Sequence, residues 1–386
     1  MFIFTLICIS LLALYWLLIE YYRRAWKAIP SYRPVPAGTP YARTRISVLV
    51  PARNEEKNIR TCLDSLFCQS YPKDLYQVIV IDDHSTDGTW EIMKSLFYPD
   101  MSRMSLQLAD YEPEGGDVVK AYKKFAIETG IRFATGDLIV TTDADCQFHP
   151  DWLQTLAGFY EAAGAKFIAA PVRIGSGRSF LSIFQTLDFI ALQGITGASV
   201  YKRFHSMCNG ANLAYEKKAF QEVGGFRGID SIPSGDDMLL MHKIYLRYPG
   251  QVFFLKSPQA IVSTRPETSW GNFVNQRVRW ASKADQYDDK RIFWVLLFVY
   301  ILNLVFGALL VAGCWNSLYW WLLLILLVVK TSIEYPFVRS VAAFFGQQEL
   351  LVYFPAMAPF HILYTVVIGW LGKFGSYRWK ERKINK

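Results

Sequence analysis

Uncharged apolar stretches of membrane-spanning length lie at both ends of this 386-residue chain, and they limit what it can fold into. Residues 2–19 carry no charge, and residues 293–313 and 350–371 contain no Asp, Glu, Lys or Arg. A helix needs about 20 predominantly apolar residues to cross a bilayer. We therefore predict an uncleaved N-terminal anchor and at least two C-terminal spans, with the shorter block at residues 318–329 as a further span.

Charge is scarce, and the net positive charge is concentrated beside these blocks. Only 19% of the residues are charged and the formal net charge is +8, whereas soluble domains average about 25% charged residues. Basic clusters beside apolar spans favour an anionic cytoplasmic leaflet over nucleic acid as the partner. The first cluster comprises Arg23, Arg24, Lys27, Arg33, Arg43 and Arg45, and the second comprises Lys373, Arg378, Lys380, Arg382, Lys383 and Lys386.

The positive-inside rule predicts the orientation of the chain. Arg23 and Arg24 place the segment between the apolar blocks in the cytosol, at the inner cell membrane. Four spans would then put the basic tail outside, contrary to the rule, so the number of spans stays open between three and four. The six cysteines form no CxxC pair, which predicts free thiols in a reducing compartment.

The middle of the chain alternates between two periodicities. Short β-branched runs predict strands, and amphipathic stretches between them predict helices, which together indicate an α/β domain with a mostly parallel sheet. Ligands of such sheets bind at the carboxyl ends of the strands. The predicted strands are residues 46–50, 77–81, 105–108 and 138–142, and the predicted helices are residues 55–68, 89–97, 120–133 and 238–246.

Carboxylates follow two of these strands. Asp143 and Asp145 can bind one hard cation that bridges a diphosphate, although a solvated turn would have the same composition. In the segment that begins at Asp82, one of Ser85, Thr86 and Asp87 is expected to cap the next helix. Capping does not explain Asp83, whose carboxylate could accept hydrogen bonds from a nucleoside base or ribose.

Two further motifs come later in the chain. Asp236 and Asp237 follow Ser-Gly and suit a general base at the mouth of a cleft, although one of them could be a helix cap. The segment 276–280, Gln-Arg-Val-Arg-Trp, offers guanidinium groups for phosphate and an indole for stacking. Beside a membrane, such a segment could equally be an interfacial anchor.

In this order, the motifs resemble those of a membrane-integrated inverting glycosyltransferase of family 2, especially the group of poly-N-acetylglucosamine, hyaluronan and cellulose synthases. The resemblance covers residues 45–285 and implies a GT-A-type, Rossmann-like domain. Two features depart from the family pattern: Asp236 stands where the family has Glu, and the membrane portion is smaller than in cellulose or hyaluronan synthases.

The resemblance also implies roles for individual residues. Asp237 would be the catalytic base, with Asp236 and Trp280 on the acceptor side, and Asp143 and Asp145 would hold Mg²⁺ or Mn²⁺. The implied contacts to the nucleotide-sugar donor are Pro51, Arg53, Glu55, Asp83, Lys123, Asp143, Gln276, Arg277 and Arg279.

The predicted organisation has five parts. An anchor (1–22) and a basic Pro-rich linker (23–44) precede a cytosolic catalytic domain (45–290), two or three spans (291–372) and a basic tail (373–386). The implied function is transfer of a UDP-activated hexose or N-acetylhexosamine to a growing polysaccharide, with a lipid acceptor as the alternative. Assembly of a channel would need an oligomer or a partner membrane protein. Nucleotidyl transfer and an inactive membrane scaffold are the remaining readings, and both fit the motifs less well.

Overall fold

The computed structural model describes residues 2–34, 43–97, 104–109, 121–175, 177–230, 232, 235–283, 289–379 and 382–384. Lys120 and Ser234 lie outside these ranges. The helices are α1 (Phe2–Ala28), α2 (Ile59–Phe67), α3 (Thr89–Phe97), α4 (Tyr122–Phe133), α5 (Trp152–Ala163), α6 (Phe180–Lys202), α7 (Lys217–Glu222), α8 (Asp236–Arg247), α9 (Trp270–Ala281), α10 (Lys290–Ala312), α11 (Leu318–Phe345) and α12 (Phe354–Phe374), with 3-10 turns at Pro258–Ala260 and Gln348–Tyr353. The strands are β1 (Ile46–Ala52), β2 (Tyr76–Asp82), β3 (Met104–Leu108), β4 (Leu138–Thr141), β5 (Phe167–Ala169), β6 (Val172–Ile174), β7 (Leu213–Glu216), β8 (Val252–Phe254), β9 (Val262–Thr264), β10 (Tyr377–Trp379) and β11 (Arg382–Ile384).

Packing divides the chain into two compact units. The sheet unit comprises Pro30–Arg173 and Ser206–Arg265, and the helical unit comprises Met1–Ile29, Ile174–His205 and Pro266–Lys386. This division differs from the predicted catalytic domain at 45–290, because two segments within that range pack with the apolar helices instead. They carry α6 and α9.

The sheet unit is built on seven strands in the order β3-β2-β1-β4-β7-β5-β8. The first four strands are parallel, and β7 runs antiparallel to both of its neighbours. The predicted mostly parallel sheet is therefore confirmed. Strands β1, β2 and β4 are almost wholly buried, as expected for strands covered on both faces. Gly136 lies just before β4, where a Cβ would stand 2.6 Å from the backbone of Ile46.

Helices α2 and α4 begin later than the sequence pattern predicted. Helix α2 begins at Ile59 rather than residue 55, because residues 55–58 make turn hydrogen bonds and contacts to another loop. Helix α3 spans Thr89–Phe97, in agreement with the prediction, and α4 begins at Tyr122.

Among the residues that the structure describes, five helices of the helical unit are long and apolar enough to cross a membrane: α1, α6, α10, α11 and α12. Helix α11 is continuous through Pro336 and extends to Phe345, well beyond the predicted span at 318–329. Proline is tolerated within membrane helices when neighbouring groups satisfy the released carbonyl.

Helix α6 was not predicted, and it cannot cross the bilayer as a single span. Strand β4 precedes it and strand β7 follows it, yet the two strands pair in one sheet. The chain must therefore enter and leave α6 on the same side of the membrane. Helix α6 packs against α1 and α11, and most of its side chains are buried.

Candidate active site

The loops that follow β1 and β2 are tied together by hydrogen bonds. The N–H of Glu55 donates to Thr89 Oγ1 over 2.7 Å, and the N–H of Thr86 donates to Asn54 Oδ1 over 2.8 Å. The guanidinium of Arg53 donates to the carbonyl of His84 over 2.8 Å. These bonds fix the two strand ends as one rigid rim, and Pro51 lies within β1 directly before it.

The two aspartates at the end of β2 have different surroundings. Asp82 accepts hydrogen bonds from the N–H and hydroxyl of Ser85, over 3.1 and 2.5 Å, which closes the turn. Asp87 accepts from the N–H of Thr89 over 3.0 Å and so caps α3. Asp83 is also buried, and Arg53 donates to its carbonyl over 2.5 Å. Helix capping thus explains Asp87, and the nucleoside contact of Asp83 stays a prediction.

Lys123 of α4 lies between two acids from distant parts of the chain. Its Nζ is 2.7 Å from Asp143 Oδ1, after β4, and 3.6 Å from Asp236 Oδ2, at the start of α8. Burial alone would lower the pKa of Lys123, but the carboxylates of Asp143 and Asp236 outweigh it and raise the pKa above its ordinary value. The ammonium is therefore charged at neutral pH and screens the repulsion between the acids.

Gly210 leaves the space that this cluster needs. A Cβ at Gly210 would stand 3.1 Å from Lys123 Nζ and 3.4 Å from Asp236 Oδ2. The N–H of Gly210 donates to Asp237 Oδ2 over 3.1 Å, and the N–H of Met238 donates to Asp237 Oδ1 over 2.7 Å. Both aspartates lie in the first turn of α8, where the helix dipole stabilises negative charge.

The predicted metal ligands have chemistry that fits a divalent cation. Asp143 is 40% exposed and keeps one carboxylate oxygen beyond the one that contacts Lys123. Asp145 Oδ2 accepts from the Thr264 hydroxyl over 2.8 Å, which orients this carboxylate. Within the described residues no cluster of three or more acidic, His or Cys side chains is present. Mg²⁺ is commonly held by one or two carboxylates together with substrate phosphates, so two aspartates suffice.

The Gln-Arg-Val-Arg-Trp segment lies in α9 of the helical unit. Arg277 is buried, and its Nη2 lies 3.0 Å from Asp188 Oδ2 of α6. The guanidinium carbon of Arg277 is 4.2 Å from the centroid of the Trp280 ring. A helix turns about 100° per residue, so Arg279 projects from a different side of α9 than Arg277. The predicted donor contacts of Gln276, Arg277 and Arg279 stay predictions.

Two side chains of the sheet unit that are not among the predicted site residues, Thr264 and Lys124, support the site. Thr264 orients Asp145, as described above. Lys124 is buried beside Lys123 and donates to the carbonyls of Ile229 and Ile232, the latter over 2.8 Å. It thereby anchors the segment that leads to Asp236. Asp188 belongs to the helical unit, where it pairs with Arg277, and its only signal in the sequence was an acid in a largely apolar run.

These features together define a glycosyltransferase of GT-A-type fold. The fold superposes on the mannosyltransferase PcManGT of Pyrobaculum calidifontis, solved with GDP-Man and Mn²⁺, with a TM-score of 0.60 at 20% identity, over 93% of this chain and 99% of that one. A family model described as glycosyl transferase family 21 matches residues 5–383, and the chain belongs to that family. The predicted enzyme class is confirmed at this level, whereas the synthase-like group stays a prediction.

Two curated relatives are similar over part of their length. The probable glycosyltransferase YdaM of Bacillus subtilis is 27% identical over 280 residues, which are 69% of this chain and 60% of YdaM. The glycosyltransferase AglE of Haloferax volcanii is 27% identical over 181 residues, which are 47% of this chain and 55% of AglE. The matches thus span a little more than half the length of each relative.

Proposed function

We propose that this protein transfers a sugar from a nucleotide-sugar donor to an acceptor at the cytosolic face of the inner cell membrane, with inversion at the anomeric carbon. The observation that carries the proposal is the pair of contacts made by Lys123, 2.7 Å to Asp143 and 3.6 Å to Asp236. They bring the predicted donor-binding acid and the predicted acceptor-side acids to one point at the carboxyl edge of the sheet.

On this proposal, the rim formed by the loops after β1 and β2 binds the nucleoside, with Asp83 as a hydrogen-bond acceptor. Asp143 and Asp145 would hold Mg²⁺ or Mn²⁺, which neutralises charge on the departing diphosphate. The Mn²⁺ bound with GDP-Man in PcManGT supports this choice of cation. Lys123 would add a positive charge next to this metal site, since its Nζ lies 2.7 Å from Asp143 Oδ1.

Asp237 would accept the proton of the acceptor hydroxyl as that oxygen attacks the anomeric carbon. The bond from the sugar to the diphosphate breaks on the opposite face, so the configuration inverts. Asp236 would hold Lys123 in place during the step, since its carboxylate faces the ammonium. Arg279 is the arginine of α9 that we assign to phosphate, because Arg277 is buried against Asp188.

For the acceptor, the packing of the helical unit favours a membrane lipid over a growing polysaccharide. A polar glycan cannot cross hydrocarbon without a shielded path. Helix α6 fills the space beside α1 and α11 with buried side chains. The helices left to enclose a path are α1, α10, α11 and α12. A single sugar added to a lipid needs no such path.

The test is a donor screen followed by product analysis. Detergent-solubilised protein is incubated with UDP- and GDP-activated sugars, and release of the nucleoside diphosphate is measured. Membranes are then labelled with the active donor and the products are separated by size. A product that carries one sugar and extracts into organic solvent supports the proposal, whereas a ladder of chain lengths supports polysaccharide synthesis instead. If no donor gives nucleoside diphosphate release, transferase activity is contradicted.

A further inference from the structure

We propose that one face of α6 positions the Gln276–Trp280 segment, and that Gln185 and Asp188 are positioning residues for the transfer reaction. This inference rests on the proposed function, because it assumes that α9 contributes to donor or acceptor binding. Helix α6 and helix α9 both belong to the helical unit.

The first contact is a buried ion pair. The Nη2 atom of Arg277 lies 3.0 Å from Asp188 Oδ2, and their side chains are 1% and 6% exposed. Asp188 Oδ1 also lies 3.4 Å from Nε2 of His361 in α12. A buried guanidinium without an opposite charge destabilises the folded state, so Asp188 determines the position of the Arg277 side chain.

The second contact runs through Glu267. The side-chain amide of Gln185 donates to the Glu267 carbonyl over 2.9 Å and accepts from the Glu267 N–H over 3.0 Å. The amide of Gln276 then donates to the Glu267 carboxylate over 3.1 Å. Gln185 is almost fully buried, so this chain of hydrogen bonds fixes the first residue of the segment.

Aromatic contacts complete the interface. The rings of Phe184 and Phe273 meet edge to face with centroids 6.0 Å apart, and those of Phe189 and Trp280 are 6.3 Å apart. The α6 residues fall at positions i, i+1, i+4 and i+5, which form one helix face. Their partners in α9 recur at three- and four-residue spacing, which forms a matching face.

In this arrangement Arg277 and Arg279 have different roles. Arg277 is committed to Asp188, and it supports the Trp280 ring at 4.2 Å from its centroid. Arg279 projects from another side of α9 and is the one we assign to phosphate. Helix α6 therefore sets the direction in which Gln276, Arg279 and Trp280 face, without contacting substrate itself.

The experiment compares Asp188→Asn and Gln185→Met with the matched control Thr196→Val. Thr196 is a buried polar residue of the same helix whose hydroxyl donates to the Leu192 carbonyl over 2.9 Å. Donor KM is measured for each variant, because KM does not depend on the folded fraction. Misplacement by about 1 Å can cost about 100-fold in rate, so we expect Asp188→Asn to raise donor KM or lower kcat by about tenfold or more. Gln185→Met should act in the same direction, and Thr196→Val should stay within about twofold.

The double variant Asp188→Asn/Arg277→Met separates positioning from direct binding. If Arg277 acts through Asp188, removing its charge relieves the uncompensated guanidinium, and the double variant regains activity relative to Asp188→Asn. A donor KM that rises further in the double variant, with acceptor KM unchanged from Asp188→Asn, would show that Arg277 contacts the donor directly and would overturn the inference. Wild-type KM and kcat per folded Asp188→Asn molecule would overturn it while leaving the proposed function intact. No turnover by the wild-type protein would overturn both.

Discussion

The ammonium of Lys123 lies 3.6 Å from the carboxylate of Asp236, although 113 residues separate them in the chain. Lys123 belongs to α4, the helix that precedes β4, and Asp236 is the first residue of α8. The contact links the predicted donor half and the predicted acceptor half of the candidate site through one partly buried positive charge. Any change that neutralises either partner should therefore affect both halves.

Asp237→Asn should nearly abolish turnover while leaving donor binding intact. The amide keeps the shape of the side chain but cannot accept a proton, and general base catalysis typically contributes about 10² to 10⁴ in rate. Single-turnover rates and donor affinity would be measured together. Asp236→Asn is the matched control. It should weaken the contact between residue 236 and Lys123 but leave the base at Asp237 in place. An inactive Asp236→Asn beside a nearly normal Asp237→Asn would move the base by one residue.

Chelation should stop the reaction, and Mn²⁺ or Mg²⁺ should restore it. Asp143→Asn should lower activity by a comparable factor and weaken activation by the metal, since it removes one of two carboxylates. The measurement is initial rate against metal concentration after EDTA treatment. Asp151→Asn provides the control, because Asp151 is a half-exposed carboxylate eight residues away that contacts His149 and Ser70. Full turnover in EDTA would exclude the metal role.

Two native cysteines report the orientation of the chain. Cys68, in the sheet unit, and Cys314, between α10 and α11, are the two exposed cysteines, and the other four are buried. With the sheet unit in the cytosol and α10 crossing once, a membrane-impermeant maleimide should label Cys314 in intact cells and Cys68 only after permeabilisation. Cys68→Ser and Cys314→Ser identify each signal by mass spectrometry. Labelling of Cys68 in intact cells would contradict the cytosolic orientation.

His205 should make stability fall in mild acid. Burial lowers the pKa of His205 to about 4, with Asp289 acting in the opposite direction and Arg291 in the same one. Its Nε2 also contacts the Tyr22 and Ser199 hydroxyls at 3.0 and 3.1 Å. In the unfolded chain a histidine has a pKa of about 6.5. Below that pH the unfolded chain takes up a proton that the folded chain excludes. The free energy of unfolding therefore decreases as the pH falls from about 6.5 to about 4.

The difference between the folded and unfolded pKa of His205 limits the loss in free energy of unfolding to about 3 kcal/mol. Thermal unfolding in detergent across this pH range would measure it. His205→Asn should flatten the pH dependence, even if it lowers stability at neutral pH. His149→Asn is the control, because His149 is half-exposed. The same acid-induced loss in His205→Asn as in the wild-type protein would refute the assignment.

The sequence alone determined the elements that carry the chemistry. Strands β1, β2 and β4 are short β-branched runs, and such runs have few alternatives to a buried parallel sheet. The acids after them therefore had to meet at one edge. The ends of the elements were less determined, since the start of α2 depends on Glu55 bonding to Thr89, 34 residues away.

Only the tertiary structure decided the role of α6 and the partners of α9. A 23-residue helix with one acid and two amide side chains has neither a clear amphipathic period nor a fully apolar composition, so local pattern could not identify it. The buried charge of Asp188 is tolerated because Arg277, 89 residues later, lies against it. Such a pair depends on packing between distant segments, whereas strand periodicity and motif spacing depend on neighbours in the chain.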